Sequence, residues 1–297
     1  MPQLYPKTLL EFEHWFRTEE ACRDYLARIR WPEGFRCPKC GHGQAWKTQR
    51  GLFHCGSCRK DISVTAGTIF HGSHLSLRLW FRAVWWVTSQ KSGVSALGLQ
   101  RILGLGSYKT AWACLHKLRG AMIRPGRKPL SDKVEVDEII VGGRLRGDRG
   151  ASMGEFKSLV ATAVEIRGKG SGRVRFGLIP DSSAQSLESF VQRVVAPGTE
   201  VITDGRQGYN QLKSLGFKHQ PVILDGKGRQ AAKAVLPHVH LIASLLKRWL
   251  WGIHHGRVSK KHLGAYLDEF AFRFNRRFST DRGMLFYRTI QQTIIHD

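Results

Sequence analysis

Two cysteine pairs near the N-terminus constrain this chain more tightly than any other stretch. Cys37-Pro-Lys-Cys40 and Cys55-Gly-Ser-Cys58 make a C-x2-C-x14-C-x2-C array, each pair close to a glycine that lets the backbone fold around the sulfurs. Four thiolates in two close pairs suit a tetrahedral zinc ion. The competing readings are two disulfides or four free core cysteines. The N-terminal stretch MPQLYPKTLLEFEHW carries acids early and has no apolar signal-peptide core. No apolar run approaches the roughly 18 residues needed to span a bilayer. The expected compartment is therefore cytoplasmic, where disulfides are rare, and zinc is the favoured reading. A closed shell of four sulfurs is structural, so this module positions or binds. His42 and His54 lie beside the pairs, outside that shell, while Cys22 and Cys114 fall in helical patterns as small core residues.

A second constraint lies in VEVDEIIVGG, residues 134–143. Asp137 stands inside an apolar, β-branched run closed by a glycine pair, which reads as a buried strand and a turn. A carboxylate there is costly unless it is paired or binds a metal, so Asp137 is either a salt-bridged core acid or a ligand. A second short strand, residues 200–205 (EVITDG), again ends in an acid, Asp204, at a glycine turn. The helical stretch HVHLIASLLKRWLWGI follows, with His240 and Lys247 seven residues apart and hence on one face. Two strand carboxylates, then a helix offering a polar ligand and a cation, meet the requirements of two-metal phosphodiester chemistry.

The charge points to the same partner. The chain has 47 Lys+Arg against 23 Asp+Glu, a net charge of +24, which implies a polyanion: nucleic acid first, an anionic membrane surface second. Residues 67–133 are the most basic segment, with 11 basic residues and Asp132 the only acid. Within them SLRLWFRAVWWVTSQK reads as a long amphipathic helix. Ser95 then opens SALGLQRIL, a glycine turn follows, and Ser107 opens SYKTAWACLHKLRGAM. Helix, glycine turn, helix is the outline of a helix-turn-helix. The bland alternative is a helical hairpin with a solvated basic face. In the second helix Ala111, Leu115, Leu118 and Met122 share the inward spacing, leaving Lys109, Thr110, Ala113 and Lys117 outward for DNA.

The expected organisation is multidomain. Residues 1–66 hold a short helix and the cysteine module, 67–124 the helical DNA-binding domain, 125–133 a linker, and 134–297 an α/β domain. In the last, three strands (134–141, 158–166, 173–179) precede helix 183–195. Strand 200–204, helix 207–215, strand 219–224 and helix 238–253 complete the pattern of a mixed sheet with helices on its faces. The loop GGRLRGDRGASMGEFK suits phosphate contact or plain solvation. HLGAYLDEFAFRFNRR is a strongly amphipathic helix, and the tail beyond it is weakly patterned.

At this level of detail the chain resembles bacterial insertion-sequence transposases that join an N-terminal zinc ribbon to an RNase-H-like DDE domain. The matching stretches are RWPEGFRCPKCG, CGSCRKDISVTAGTIF, KTAWACLHKLRGAM, VEVDEIIVGG, TDGRQGYNQL, SLLKR and VSKKHLGAYLDEFAFRFNRR. The resemblance implies an enzyme that binds its element's terminal inverted repeats, nicks there with water, and joins the freed 3′-hydroxyl to target DNA. It further implies Mg2+ or Mn2+ as catalytic cofactor, double-stranded DNA as partner, a homo-oligomer on that DNA, and a nucleoid-associated location. Asp137 and Asp204 match its two metal-binding aspartates, and Lys247 a lysine seven residues after the third catalytic member. At that third position the family commonly has Glu, and this chain has His240, making the array Asp-Asp-His. A neutral imidazole still ligates a divalent ion; the alternative third ligand is Glu269. Two rival functions remain beside the transposase: a catalytically degenerate, DNA-binding relic, and a structure-selective nuclease.

Overall fold

The computed structural model describes residues 4–124, 126–142, 157–222, 236–254 and 258–294. The chain divides into two compact units, Met1–Arg124 with Ser279–Asp297, and Pro125–Phe278.

The first unit opens with α1 (Leu9–Trp15) and α2 (Glu19–Arg30). Thr18 caps α2, its hydroxyl accepting from the Ala21 N–H at 3.1 Å, and Glu19 and Glu20 sit at the positive end of the helix dipole. Three short strands, β1 (Ala45–Lys47), β2 (Phe53–Cys55) and β3 (Asp61–Ile62), form an antiparallel sheet in that order. Helices α3 (Leu77–Ser89), α4 (Ala96–Leu103) and α5 (Tyr108–Ala121) follow. Glu19 reaches across to α3, accepting from the free N–H groups of Leu77 and Arg78 at 2.8 and 3.1 Å. Between α4 and α5, Gly104 takes the left-handed φ of +63° that ends a helix cheaply only with glycine.

The second unit begins before its sheet. Strands β4 (Lys133–Val141), β5 (Ser158–Arg167) and β6 (Gly170–Ile179) lead to α6 (Ala184–Val194). Then come β7 (Glu200–Thr203), a 3-10 turn (Gln207–Leu212), β8 (Lys218–Pro221), α7 (Pro237–His254) and α8 (Lys260–Asn275). The sheet order is β6-β5-β4-β7-β8, with β4 antiparallel to β5 and parallel to β7. Residues alternate between its two faces. Val134, Val136, Ala161 and Ala163 meet α6 residues Leu187, Phe190 and Val191 in one core. Ile139, Val141, Val160 and Val164 meet Val239, Ile242, Leu246 and Leu250 of α7, with Leu263, Leu267 and Phe270 of α8, in the other.

Four boundaries differ from the sequence expectation. Residues 1–66 and 67–124 belong to one compact unit. The expected linker is part of the sheet unit: Leu130 is fully buried and bridges Val195 in parallel, and Arg173 donates to the Pro129 carbonyl at 3.0 Å. Its proline and glycine content hid one decisive apolar residue. The expected helix over 207–215 is the shorter 3-10 turn, and the strand expected over 219–224 runs as β8, with 223 and 224 outside the described residues.

The weakly patterned tail is α9 (Arg282–Ile294), and it belongs to the first unit rather than to the sheet unit. Phe286 is fully buried among Phe12, Phe16, Tyr25, Phe81 and Trp85, with ring centroids 5.4, 5.6, 6.3, 5.8 and 5.7 Å away. The pattern looked weak because two of its buried positions are threonines. Thr289 and Thr293 satisfy their hydroxyls on the Leu285 and Ile290 carbonyls of their own helix. Phe286→Ala is therefore expected to destabilise the first unit by about 3–5 kcal/mol and to leave the second unit's stability unchanged. Hydrogen exchange resolved by unit checks both halves of that expectation.

Candidate metal and nucleic-acid sites

The four ribbon sulfurs lie within 4.8 Å of one another, and they are the only group of three or more such ligands so close among the described residues. Cys37 Sγ stands 3.7 Å from Cys58 Sγ, and Cys40 Sγ 3.6 Å from Cys55 Sγ. A tetrahedron with Zn–S bonds of about 2.3 Å has edges of about 3.8 Å, so the donor set fits zinc. Burial acts to raise the Cys55 thiol, yet the backbone N–H groups of Cys58 and Ser57 and the neighbouring cysteines bring it down to about 6, which favours the thiolate a metal needs. His54 is engaged elsewhere, Nδ1 lying 2.7 Å from Asp61 Oδ1. Cys22 and Cys114 are buried, as their helical spacing predicts.

The two aspartates meet through strand register. Parallel pairing of β4 with β7 sets Lys133 beside Glu200, Val134 beside Val201 and Glu135 beside Ile202. Asp137 and Asp204 each follow two residues beyond the last of these pairs, and the Asp204 carboxylate acts on that of Asp137. Asp137 is only 8% exposed. Its carboxyl is pushed up to about 7, first by burial, then by the Glu138 and Asp204 carboxylates; the Glu138 N–H and Arg206 pull the other way. Asp137 midway along β4 and Asp204 just past the end of β7 gather two carboxylates at a partly buried spot, which is a demand for a cation. Arg206 meets part of it, holding Asp204 Oδ2 through Nε at 2.9 Å and Glu138 Oε1 through Nη1 at 2.9 Å.

Two participants carry no signal in the linear sequence. Glu138 is fixed from both sides, its second oxygen accepting from the Tyr209 hydroxyl at 2.7 Å. Thr162 sits directly opposite Asp137 across the antiparallel β4–β5 pair, fully buried, and its hydroxyl has no partner among the described residues. An orphaned buried hydroxyl beside a buried acid fits a site completed by a ligand. The alternation of TDGRQGY could have pointed to Arg206 and Tyr209; Thr162 becomes visible only with the register.

His240 lies in the first turn of α7, half-buried. That turn is anchored on the sheet by Glu135, whose Oε2 accepts from the Val239 N–H at 2.9 Å. Burial raises the Glu135 carboxyl, while the Val239 N–H and the His238 and His240 imidazoles hold it down. His240 thus stands beside Glu135, two residues along β4 from Asp137. Lys247 is exposed two turns later. Glu269 is buried and engaged by Arg273 at 2.7 Å. In the first unit Lys109 and Lys117 are exposed and Thr110 half-buried, and Lys117 spends one donor on the Ile69 carbonyl at 3.1 Å.

Two outcomes follow from these geometries. Elemental analysis is expected to find one zinc per chain, falling below half an equivalent in Cys37→Ser or Cys55→Ser. Asp137 unfolds to an ordinary aspartate titrating near 4, so the folded state holds the extra proton between about pH 4 and 7. The stability this group lends is present at the acid end and lost as pH rises through 7. Without added divalent metal, Asp137→Asn is expected to stabilise the second unit at pH 8 by on the order of 2–4 kcal/mol. Amide exchange in β4 and β5 at pH 5 and pH 8 measures it.

Two families of known proteins match stretches of this chain. Residues 129–275 match the family described as the ISXO2-like transposase domain, and residues 17–61 the family described as the transposase zinc-ribbon domain. A relative from Halobacterium salinarum, described as an uncharacterized protein in transposable element ISH50, is 29% identical over 306 residues, covering 94% of this chain and 98% of its own. That relative is archaeal, so the likeness extends beyond the bacterial group expected. A solved structure, the simian T-cell lymphotropic virus intasome in complex with PP2A regulatory subunit B56 gamma, is 12% identical. It covers 59% of this chain and 63% of that chain with a TM-score of 0.31, too distant to carry a conclusion. No described helix is long and apolar enough to cross a membrane. Residues 17–61 are thus similar to a transposase zinc ribbon, and residues 129–275, which include the Asp137 strand, to an ISXO2-like transposase domain.

Proposed function

We propose that this protein is a DNA transposase that binds its element's terminal inverted repeats, cleaves there with water, and transfers the freed 3′-hydroxyl to target DNA. The observation that carries the reading is the Asp137–Asp204 pair on neighbouring strands β4 and β7, where burial first, then the Glu138 and Asp204 carboxylates, raise the Asp137 carboxyl. The sheet order β6-β5-β4-β7-β8, antiparallel through its first three strands and parallel beyond, supports an RNase-H-like domain. Asp137, Asp204 and His240 would hold Mg2+ or Mn2+. Such an ion, when bound, activates water and neutralises charge on the scissile phosphate. Glu269 is a poorer third ligand because Arg273 already holds it.

The chain's own groups do the rest. Arg206 links Asp204 to Glu138 and keeps the two acids of the strand end in fixed relation. Lys247, exposed on α7, offers a cation to substrate phosphate. In the first unit, α4, the Gly104 turn and α5 form a helix-turn-helix whose exposed first turn presents Lys109 and Thr110 to DNA, with Lys117 as a phosphate contact further along. The protein works as a homo-oligomer on DNA inside the cell.

Incubation with labelled element-end DNA and divalent metal tests the reading. Asp137→Asn and Asp204→Asn are each expected to abolish nicking while end binding survives, because the DNA grip lies mainly in the other unit. His240→Ala is expected to be inactive, and His240→Glu to cut with magnesium. Lys109→Ala should reduce the salt slope of binding by about one. A parent protein that binds ends but nicks with neither metal is the degenerate DNA-binding form instead.

A further inference from the structure

Helix α7 uses its two later tryptophans in opposite ways. Trp249 packs inward, its ring 5.8 Å from Phe270 and 5.5 Å from His254. Trp251, two residues on, is 64% exposed. The inner face of the helix is already filled by Val239, Ile242, Ala243, Leu246 and Leu250, so the core has no use for a second indole. An indole is a large apolar surface to leave in water, and it lies beside exposed Lys247 and Arg248, four and three residues earlier on the same helical surface. Neither cation has an ion-pair partner among the described residues, and α7 carries no acidic residue from Pro237 to His254. His240, Ser244, Lys247 and Trp251 follow one another at spacings of four, three and four, a single stripe about 16 Å long.

We propose that this stripe is a platform for an unpaired DNA strand, with Trp251 stacking on a base while Lys247 and Arg248 hold the neighbouring phosphates. The proposal deepens the transposase reading, on which it rests: it concerns the form of DNA presented beside the aspartate pair. Charge decides the class of occupant, because an acid-free helix face with two unpaired cations complements a polyanion. The indole decides the form. In a duplex the faces of the bases are stacked on one another, whereas an unpaired base has a free face that an aromatic ring can cover. His240 starts the stripe near Glu135, so a strand leaving the aspartate pair along α7 passes the two cations and then the indole.

Binding of a short duplex with a single-stranded overhang, compared with the same duplex blunt, tests this on the full chain without added divalent metal. That choice separates it from the cleavage reading, since binding is scored whether or not the protein nicks. The parent should prefer the overhang. Trp251→Ala should lose about tenfold or more in affinity for the overhang and leave blunt-duplex affinity within about twofold. Trp251→Phe should keep most of the preference, since a phenyl ring still stacks. Arg248→Ala should lower the salt slope on the overhang by roughly one. Equal parent affinity for both DNAs, or equal loss on both in Trp251→Ala, would overturn the proposal. So would a change of oligomeric state in Trp251→Ala by sedimentation, which would assign the face to a second copy of the chain.

Discussion

Parallel pairing between β4 and β7 brings together two acids that are 67 positions apart in sequence, Asp137 and Asp204. β4 is held in the middle of the sheet by β5 on one side and β7 on the other, so Asp137 cannot withdraw into solvent as an edge residue could. The repulsion is therefore built into the fold, and the apolar cores on both faces of the sheet hold it in place. A site of this kind trades stability for function: burial that makes Asp137 costly as a bare anion also makes it strong toward a cation.

The surrounding groups manage that cost by division of labour across the sheet. Glu138 faces the other side of β4, where Arg206 and Tyr209 satisfy both its oxygens. Glu135 spends its charge on the amino end of α7, a favourable place for an acid near a helix dipole. Of the strand's three acids, Glu135, Asp137 and Glu138, Glu138 is the one with an ion-pair partner among the described residues, Arg206. Thr162, buried opposite Asp137 on the neighbouring strand, has a hydroxyl without a partner among the described residues. Glu165 and Glu269, also buried, are by contrast closed by Arg173 and Arg273.

The first unit solves a different problem. Its ribbon has little apolar core of its own, a small cluster around Cys37, Cys55 and Ile62, so metal ligation substitutes for hydrophobic burial. The helices beside it are held by rings instead. Tyr25 of α2, Phe81 and Trp85 of α3, and Phe286 of α9 close one aromatic cluster with Phe12 and Phe16. The last helix thus returns to the segment that begins the chain, and the sheet unit is inserted between the two halves of the first.

The sequence by itself determined the ribbon and most of the strands and helices, and it singled out Asp137 and Asp204 as acids of the sheet. Each rests on local chemistry: cysteine spacing for a tetrahedral ion, β-branched runs for strands, Thr18 and Ser95 at helix starts, an acid where an apolar strand meets glycine. Only the tertiary structure decided what those pieces were near. Leu130 reads as linker until Val195 is placed beside it, and α9 reads as tail until Phe286 is seen inside the aromatic cluster. Glu138, Arg206 and Tyr209 form one network because β4, β7 and the 3-10 turn converge. Thr162 faces Asp137 through an antiparallel register that no single strand encodes. The physical reason is the same in each case. Local pattern reports which face of an element is apolar, whereas pairing register and non-local packing decide which side chains share that face.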